Sequence, residues 1–429
     1  MLAVRDTYRP KTKEKSMRAH LLLPCPALLL SLIAPVAQAG DAFSDLLTQG
    51  KVSLDLRYRY EHVDQDNALA NANAQTLRTR VGLHSGSWFG LSALVEVDNV
   101  SRLGDEDFND SRNGRTGYAL VPDPDGSEVN QALLRYDTAF GHAVAGRQRI
   151  ELDNQRFVGG VAWRQNEQTY DGVLGRIEPL EGLSLTYAYL ANINTPFGPD
   201  GQHGYPTNPA DIEGHSHLFN LAYAWRPELK LAAYSYLLGL DNLAVAPTAA
   251  PGSQSSRTTG LRLSGTLQGM GYALEYARQR DYAGNPLSLN GHYFLGELSY
   301  QQGGYLLKAG HEVLSGGDGP GNRAFQTPLA TKHLFQGWAD LFLITPAEGI
   351  RDSYLGGSLP LLGGSLQAWY HHFRADEGGD RYGTELDVAY ARAIPVVKNL
   401  SAMAKYARYD ADAFGVDTDK FWLQLQYRY

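Results

Sequence analysis

The feature that most constrains this chain is a repeated alternation of apolar and polar residues with a period of two. In the first such segment, residues 51–62, Leu54 and Leu56 alternate with Asp55 and Arg57. A period of two places the two sets on opposite faces of a β-strand. The pattern recurs and predicts eighteen strands, at residues 51–62, 75–85, 89–102, 128–137, 142–151, 168–178, 184–192, 217–226, 229–241, 257–266, 271–281, 292–300, 304–314, 350–359, 365–374, 380–391, 400–410 and 418–429.

The lengths of the connections show which kind of all-β fold these strands build. Alternation alone also fits a soluble sandwich, whose apolar face lies inside. The connections here alternate between short ones, such as 86–87 and 227–228, and long ones, such as 103–127 and 315–349. Short periplasmic turns opposite longer external loops are typical of outer-membrane barrels. We therefore expect an all-β, transmembrane, antiparallel β-barrel of about eighteen strands, with both termini in the periplasm.

The amino terminus has the pattern of an export signal. An apolar run covers residues 21–36, and the small-x-small sequence Ala37-Gln38-Ala39 supplies a cleavage site. The basic stretch before Met17 is unlike the start of a signal peptide, which favours Met17 as the natural start. We expect a leader and cleaved signal peptide at residues 1–39 and a single outer-membrane β-barrel at residues 40–429.

Composition fits a barrel and excludes several other classes. The 46 glycines and 26 tyrosines suit tight turns and interfacial aromatic girdles. The one cysteine, Cys25, lies in the predicted signal, so the mature chain has no disulfide. Removing residues 1–39 takes away six basic and two acidic residues and changes the net charge from −8 to −12. A charge of that sign gives no support for nucleic-acid binding.

The carboxyl terminus resembles a signal for barrel insertion. Alternate residues from Phe421 to Tyr427 are apolar, and the chain ends on the aromatic Tyr429. We expect the barrel-assembly machinery to recognise this strand. The lipid bilayer and lipopolysaccharide are the other expected partners of the barrel wall.

An eighteen-stranded barrel is wide enough to enclose water, so transport is the expected function. If the apolar faces meet lipid, basic side chains line one wall of the lumen, where guanidinium groups would favour carboxylates and phosphates. The alternative is that they pair with inward carboxylates such as Glu61, Glu96 and Asp98 and only stiffen the barrel. The candidate conduit residues are Arg57, Arg59, Arg78, Arg80, Arg135, Arg147, Arg149, Arg156, Arg164 and Lys308.

Two long connections carry unusual side chains. Residues 152–168 are too polar for lipid, and we expect them to fold inward or cap the mouth of a water-filled lumen. Residues 315–349 hold three aromatic anchors, Phe325, Phe335 and Trp338, and we expect a constriction or lid. The alternative for the second segment is a surface loop that protects the rim.

No enzyme, metal site or cofactor site is predicted. Histidines such as His62, His84 and His311 are available as bases, but none accompanies a recognisable nucleophile motif. A barrel hydrolase is the distant alternative. Two acidic loop segments, 105–110 and 123–128, lack the spacing of a calcium loop, and solvated charge or divalent bridging to lipopolysaccharide explains them better.

Several longer motifs resemble one known family. Residues 146–159, with Gly146-Arg147-Gln148, and residues 163–169 look like a signature of alginate-export-type outer-membrane proteins. Residues 324–340 and 382–385 are similar to its late loop and closing strands. The resemblance implies an eighteen-stranded, monomeric barrel that exports a polyuronate through an arginine-rich conduit in the family's namesake. We therefore expect a channel for uronate-type polysaccharide or related anionic sugars, the alternative being a passive porin for small anionic nutrients.

Overall fold

The computed structural model describes residues 46, 48–199 and 205–429 of the chain. The predicted signal peptide lies outside the described residues. Within the described ranges, no helix has both the length and the apolar character that crossing a bilayer would require.

The described residues form eighteen β-strands, as the alternation predicts. Their boundaries agree with the expected ones to within a few residues at most positions. The strands are β1 Lys51–Gln65, β2 Ala72–His84, β3 Leu91–Arg102, β4 Gly126–Thr138, β5 Gly141–Gln148, β6 Thr169–Leu180, β7 Leu183–Asn194, β8 Asp211–Arg226, β9 Leu229–Leu238, β10 Ser256–Leu267, β11 Met270–Asp281, β12 Asn290–Gln302, β13 Tyr305–Ser315, β14 Gly349–Leu361, β15 Gly364–Arg374, β16 Arg381–Ala393, β17 Leu400–Ala411 and β18 Thr418–Arg428.

The sheet is closed on itself. Each strand pairs antiparallel with its neighbours in sequence, and β1 pairs with β18 from Asp55 opposite Arg428 to Gln65 opposite Thr418. Closure removes the free edges of the sheet, so the ladder of backbone hydrogen bonds continues around the barrel. The predicted antiparallel barrel of eighteen strands is confirmed.

The two ends of the barrel differ. One end, the short-turn end, carries brief connections such as residues 227–228 and 303–304. The other, the long-loop end, carries residues 149–168 and 316–348 among its connections. Strand β8 begins at Asp211, six residues before the expected 217, because its first residues still pair with β7 across a β-bulge.

The two faces of the wall carry the two sets of the alternation. Large apolar side chains such as Leu134, Leu261 and Leu298 are more than half exposed on the outer face, where a bilayer would cover them. The main apolar core lies inside the barrel, where loop residues pack against strand residues such as Tyr293 and Trp422. The lumen is therefore partly filled by loops.

Candidate functional site

The first inward loop, residues 149–168, lies on the arginines of β1. Arg57 Nη1 donates to the carbonyl oxygens of Ala162 and Arg164 at 3.0 and 3.1 Å, and Arg59 Nη2 donates to that of Trp163 at 2.6 Å. Residues 149–168 form no strand or helix in which backbone N–H groups would donate to these carbonyl oxygens. Arg57 and Arg59 supply the hydrogen-bond donors instead. Both arginine side chains are buried by this contact.

The arginines of β2 are held by carboxylates. Arg78 Nη2 lies 3.0 Å from Asp55 Oδ2. Arg80 donates through Nε and Nη2 to both oxygens of Asp98 at 2.6 Å, and it also contacts Glu167 of the first inward loop. A bidentate pair of this kind fixes the guanidinium in one orientation. The guanidinium groups of Arg78 and Arg80 are therefore already occupied by carboxylates of the wall and the first inward loop.

Two arginines of the first inward loop anchor it across the lumen. Arg156 donates to both oxygens of Glu312 on β13 at 2.8 and 3.1 Å. Arg164 donates to Glu61 on β1 at 3.1 Å and to Asp340 of the second inward loop at 3.0 Å. All five side chains are buried or nearly so. Both arginines are thus paired inside the protein, and of the carboxylates named from the sequence only Glu61 is among their partners. Contact of either arginine with a solute stays a prediction.

The second inward loop, residues 316–348, packs on β15–β17. The amide of Ala339 donates to Glu385 Oε1 at 2.7 Å. Gly337 has a φ of +82°, and a Cβ there would lie 2.3 Å from the same carboxylate, so this close approach needs glycine. Phe342 packs against Phe373, with 4.7 Å between the ring centroids. This connection therefore packs against the barrel wall, and its aromatic anchors include Phe342 as well as Phe325 and Trp338. Its role as a constriction or lid stays a prediction.

The two loops meet at a group of residues that we call the junction: Trp163, His333, Trp338, Asp340 and Lys405. The rings of Trp163 and His333 stack 4.4 Å apart at an angle of 7°. Lys405 Nζ of β17 lies 4.2 Å from the Trp163 ring centroid and 3.7 Å from that of Trp338. The junction thus joins both loops to the far wall of the barrel.

Hydrogen bonds set the protonation of the junction histidine. Lys405 Nζ lies 2.6 Å from His333 Nε2, and His333 Nδ1 lies 2.8 Å from Asp340 Oδ1. A lysine donates and a carboxylate accepts, so this geometry fits a neutral imidazole with its proton on Nδ1. Burial, together with the charges of Lys405 and Arg164, lowers the pKa of His333 to about 3, although Asp340 acts in the opposite direction. The junction therefore holds His333 neutral.

Cavities lie on both sides of the junction. Toward the long-loop end, a small cavity of about 80 Å³ is lined by Arg164, Lys332, His333 and Asp340, together with other loop residues. Toward the short-turn end, a chamber of about 630 Å³ is bounded by His333 and other junction residues and by the lower parts of the strands. His333 borders both, so the junction separates them.

Three predicted conduit residues keep part of their side chains open to the lumen. Arg149 is 33% exposed and pairs with Glu167 at 2.5 Å, and Lys308 is 28% exposed and pairs with Glu297 at 3.0 Å. Arg135 is 39% exposed. Arg135 and Arg149 line a cavity of about 460 Å³, whereas Lys308 lines the chamber. A solute that enters from the short-turn side can therefore reach these three cations.

Arg147 is not on the inner wall. Its neighbours in β5, Val144 and Gln148, are buried toward the lumen, so strand alternation puts Arg147 on the outer face. There it pairs with Asp171 of β6 through two hydrogen bonds of 2.8 and 2.9 Å. The expectation of an inward Arg147 was wrong because the small residues 143–146 give no clear apolar contrast and β5 ends at Gln148, before the expected residue 151.

The junction is the part of the site that residue types alone did not identify. Trp163 and Trp338 stand within the motifs of the two loops, but only the fold brings them to Lys405. The sequence feature that could have indicated the junction is the presence of one tryptophan in each inward loop. Period-two patterning cannot say which loops meet.

Comparisons with known proteins agree with this geometry. The family model described as alginate export matches residues 48–310. A search of curated proteins finds no match.

Solved structures of outer-membrane porins share the fold. The crystal structure of Pseudomonas aeruginosa OccK3 (OpdO) aligns with a TM-score of 0.67 at 17% identity, over 90% of this chain and 97% of that one. Acinetobacter baumannii OccAB4 gives 0.69 at 14% identity, over 89% and 98%. Pseudomonas aeruginosa OpdK, solved with vanillate, gives 0.68 at 14% identity, over 89% and 99%. The chain belongs to the alginate export family, and its barrel is that of an outer-membrane porin.

Proposed function

We propose that this barrel is a selective channel for small carboxylate-bearing solutes, with uronate-type sugar acids as the first class. The observation that carries the proposal is the set of half-exposed cations, Arg135, Arg149 and Lys308, beside cavities on one side of a closed junction. Guanidinium and ammonium groups that keep contact with water can exchange a protein carboxylate for a solute carboxylate at little cost.

The size of the passage favours small solutes over a polymer. The cavity on the long-loop side of the junction is about 80 Å³, whereas pockets that enclose drug-sized ligands measure about 300–1,000 Å³. A polyuronate would need both inward loops to withdraw from the wall. A sugar acid or a short oligomer needs only a local rearrangement of the junction.

Aromatic rings beside cations support the same solute class. Trp163, Trp338 and Trp369 line the chamber together with Lys308 and Arg262. Flat apolar rings pack against the faces of sugars and aromatic acids, while the cations take the carboxylate. OpdK, which shares the fold, was solved with vanillate, an aromatic carboxylate.

The proposal includes the orientation of the barrel. Long loops face the exterior and both termini face the periplasm, as is usual for such barrels. The chain acts as a monomer, and the barrel-assembly machinery recognises β18. Orientation is tested with a cysteine at Ala413, in a long-loop-end connection, and one at Val396, 90% exposed in a short-turn-end connection. An impermeant maleimide added to intact cells is expected to label A413C and to leave V396C unlabelled; the reverse result contradicts the orientation.

Solute selectivity is tested by liposome swelling. Proteoliposomes with the wild-type barrel should admit galacturonate several-fold faster than galactose, which has the same ring without the carboxylate. The variant Arg149→Gln/Lys308→Gln should lose most of that difference, whereas the control Arg408→Gln, on the outer face of β17, should keep it. Equal rates for the two sugars in the wild type would refute the proposal.

A further inference from the structure

Three arginines without carboxylate partners lie together on the outer face of β10 and β11, at the long-loop end. Arg257, Arg278 and Arg280 are all exposed, and Arg257 stands directly opposite Arg280 in the strand register. Among the described residues, no ion pair involves any of the three, and Arg278 donates only to the amide oxygen of Asn290, at 2.8 Å. Like charges facing each other across two strands are destabilising. The part of the chain that the structure describes pairs these cations with no counter-charge.

Most other outward arginines near the same end are paired, and the exception, Arg374, donates to the carbonyl oxygen of Gly379 at 2.9 Å. Arg351 lies 2.8 Å from Asp376, and Arg381 lies 2.7 Å from Asp412. Arg408 also has a carboxylate partner. Arg374 stands opposite both Arg351 and Arg381, so arginines also face one another there, but Asp376 and Asp412 balance that cluster. The patch on β10 and β11 differs because no ion pair to an acid is found at it among the described residues.

An apolar groove begins directly below this patch on the outer wall. It measures about 880 Å³, and small side chains such as Ala233, Ser235 and Thr259 lie between larger ones on either side, such as Phe219 and Leu261. The groove exists because β9 and β10 present short side chains at this level, between larger ones on either side.

The groove and the arginine patch form one surface. Thr259 is the next outward residue below Arg257 on β10, and Tyr276 is the next outward residue below Arg278 on β11. Two residues along a strand cover roughly 7 Å. The guanidinium groups therefore lie within one side-chain length of the top of the groove.

Two tyrosine–histidine pairs on the neighbouring strands mark the depth in the membrane. Tyr187 and Tyr189 of β7 contact His217 and His215 of β8 through 3.0 and 2.6 Å hydrogen bonds on the outer face. Such aromatic groups with a polar end lie at the boundary between hydrocarbon and headgroups. Tyr187 lines the top of the groove, and strand register places Tyr189 and His217 in the same row as Arg257 and Arg280. The arginine patch is therefore at the headgroup level, and the groove extends from it toward the hydrocarbon.

We propose that this surface binds lipid A, the phosphorylated and acylated glycolipid of the outer leaflet. The three guanidinium groups bind a phosphate, for which paired N–H donors are well matched, and an acyl chain lies in the groove. The inference rests on the proposed orientation, because only an external long-loop end places the patch in the lipid A leaflet.

The test uses the purified full-length barrel in a neutral detergent and measures binding of hexa-acylated bisphosphoryl lipid A by native mass spectrometry. We expect Arg257→Gln/Arg278→Gln/Arg280→Gln to weaken binding at least tenfold. The matched control, Arg351→Gln/Arg381→Gln/Arg408→Gln, should stay within about twofold of the wild type. For the groove, Ala233→Trp should weaken binding, whereas Ala309→Trp, on the outer face of β13, should not. Heat-modifiable gel mobility confirms that each variant is folded.

Several outcomes would overturn the inference. These are equal binding by the patch variant and the wild type, equal binding of a zwitterionic phospholipid, or competition by millimolar inorganic phosphate as strong as that by monophosphoryl lipid A. Failure of the orientation is recognised separately, because maleimide labelling of A413C and V396C reports it without any lipid. Correct labelling with no lipid A binding refutes this inference alone.

Discussion

The lumen contains two sets of basic side chains. The sequence places both sets in the predicted conduit, but the folded protein buries one set and leaves the other partly exposed. The sealed set comprises the buried side chains held by loop carbonyls and acids, namely Arg57, Arg59, Arg78, Arg80, Arg156 and Arg164. The open set, Arg135, Arg149 and Lys308, keeps about a third of each side chain exposed. An arginine on the inner face of a barrel is therefore not by itself open to solutes, and exposure is what separates the two sets.

The difference also has an energetic side. Removing one partner of a buried ion pair lowers the free energy of unfolding by about 3–5 kcal/mol, because the other charge stays buried without compensation. An exposed pair contributes about 0–1 kcal/mol. Substitutions in the sealed set should thus change stability and loop position, and those in the open set should change selectivity only.

The largest effect is expected from Arg164→Ala. This change leaves Glu61 and Asp340 without their shared cation and releases the tie between the two inward loops. The barrel should lose about 3–5 kcal/mol of unfolding free energy, and single-channel conductance should rise several-fold. Arg408→Ala, which removes an exposed pair on the outer face, is the control. Unchanged conductance with Arg164→Ala would mean that the loops do not close the lumen.

A somewhat smaller effect is expected from Trp163→Ala. The ring stacks on His333 and lies 4.1 Å below the guanidinium carbon of Arg59. Losing a packed tryptophan costs about 3 kcal/mol, and the junction should open more often. Planar-bilayer recordings measure this as longer open times. Trp225→Ala, at an exposed position on the outer face, should leave the open times unchanged.

A change of function without a change of stability is expected from Arg149→Gln/Lys308→Gln. The pair of Lys308 with Glu297 is partly exposed and contributes about 1 kcal/mol or less. Glu167 is buried, but it keeps its contact with Arg80 when Arg149 is replaced, so no carboxylate is left without a cation. The temperature of heat-modifiable mobility should stay near the wild-type value, while the apparent affinity of galacturonate as a blocker should fall several-fold. If the variant were strongly destabilised and galacturonate blocked it as well as the wild type, the distinction between the sealed and open sets would be contradicted.

The smallest effect is a dependence of gating on pH. The closed junction lowers the pKa of His333 to about 3, whereas a released loop would return it to its ordinary value of about 6.5. As the pH falls below about 6.5, the released form takes up a proton that the closed form refuses, so closure weakens on acidification. Open probability should rise between pH 6.5 and 4.5, and His333→Phe should remove most of this rise. A rise on alkalinisation instead would contradict the assignment.

The sequence predicts the strands of the barrel wall far better than the contacts of the loops inside the lumen. Alternation places Arg57 and Arg78 on the inner face because neighbouring residues of β1 and β2 contrast strongly in polarity. It fails at Arg147, where the residues before it are small. The junction joins Trp163 to His333 across 170 residues of sequence, and a local period carries no information on such a contact.

The alternation of apolar and polar residues also cannot predict how much of each arginine side chain is exposed. It depends on where the first inward loop lies, and that loop is positioned by donors from β1 and acids from β13. The acidic partners Glu61 and Asp98 could be named from the sequence as possible counter-charges. Which of them pair, and with which arginine, follows only from the closed barrel.

The most direct test of the channel assignment is the reversal potential of the wild-type barrel in a planar bilayer across a tenfold potassium chloride gradient. If the accessible cations Arg135, Arg149 and Lys308 outweigh the carboxylates beside them, the lumen passes chloride in preference to potassium. We therefore expect a reversal potential of the sign set by anion flow. A reversal potential of the opposite sign, set by cation flow, would contradict it.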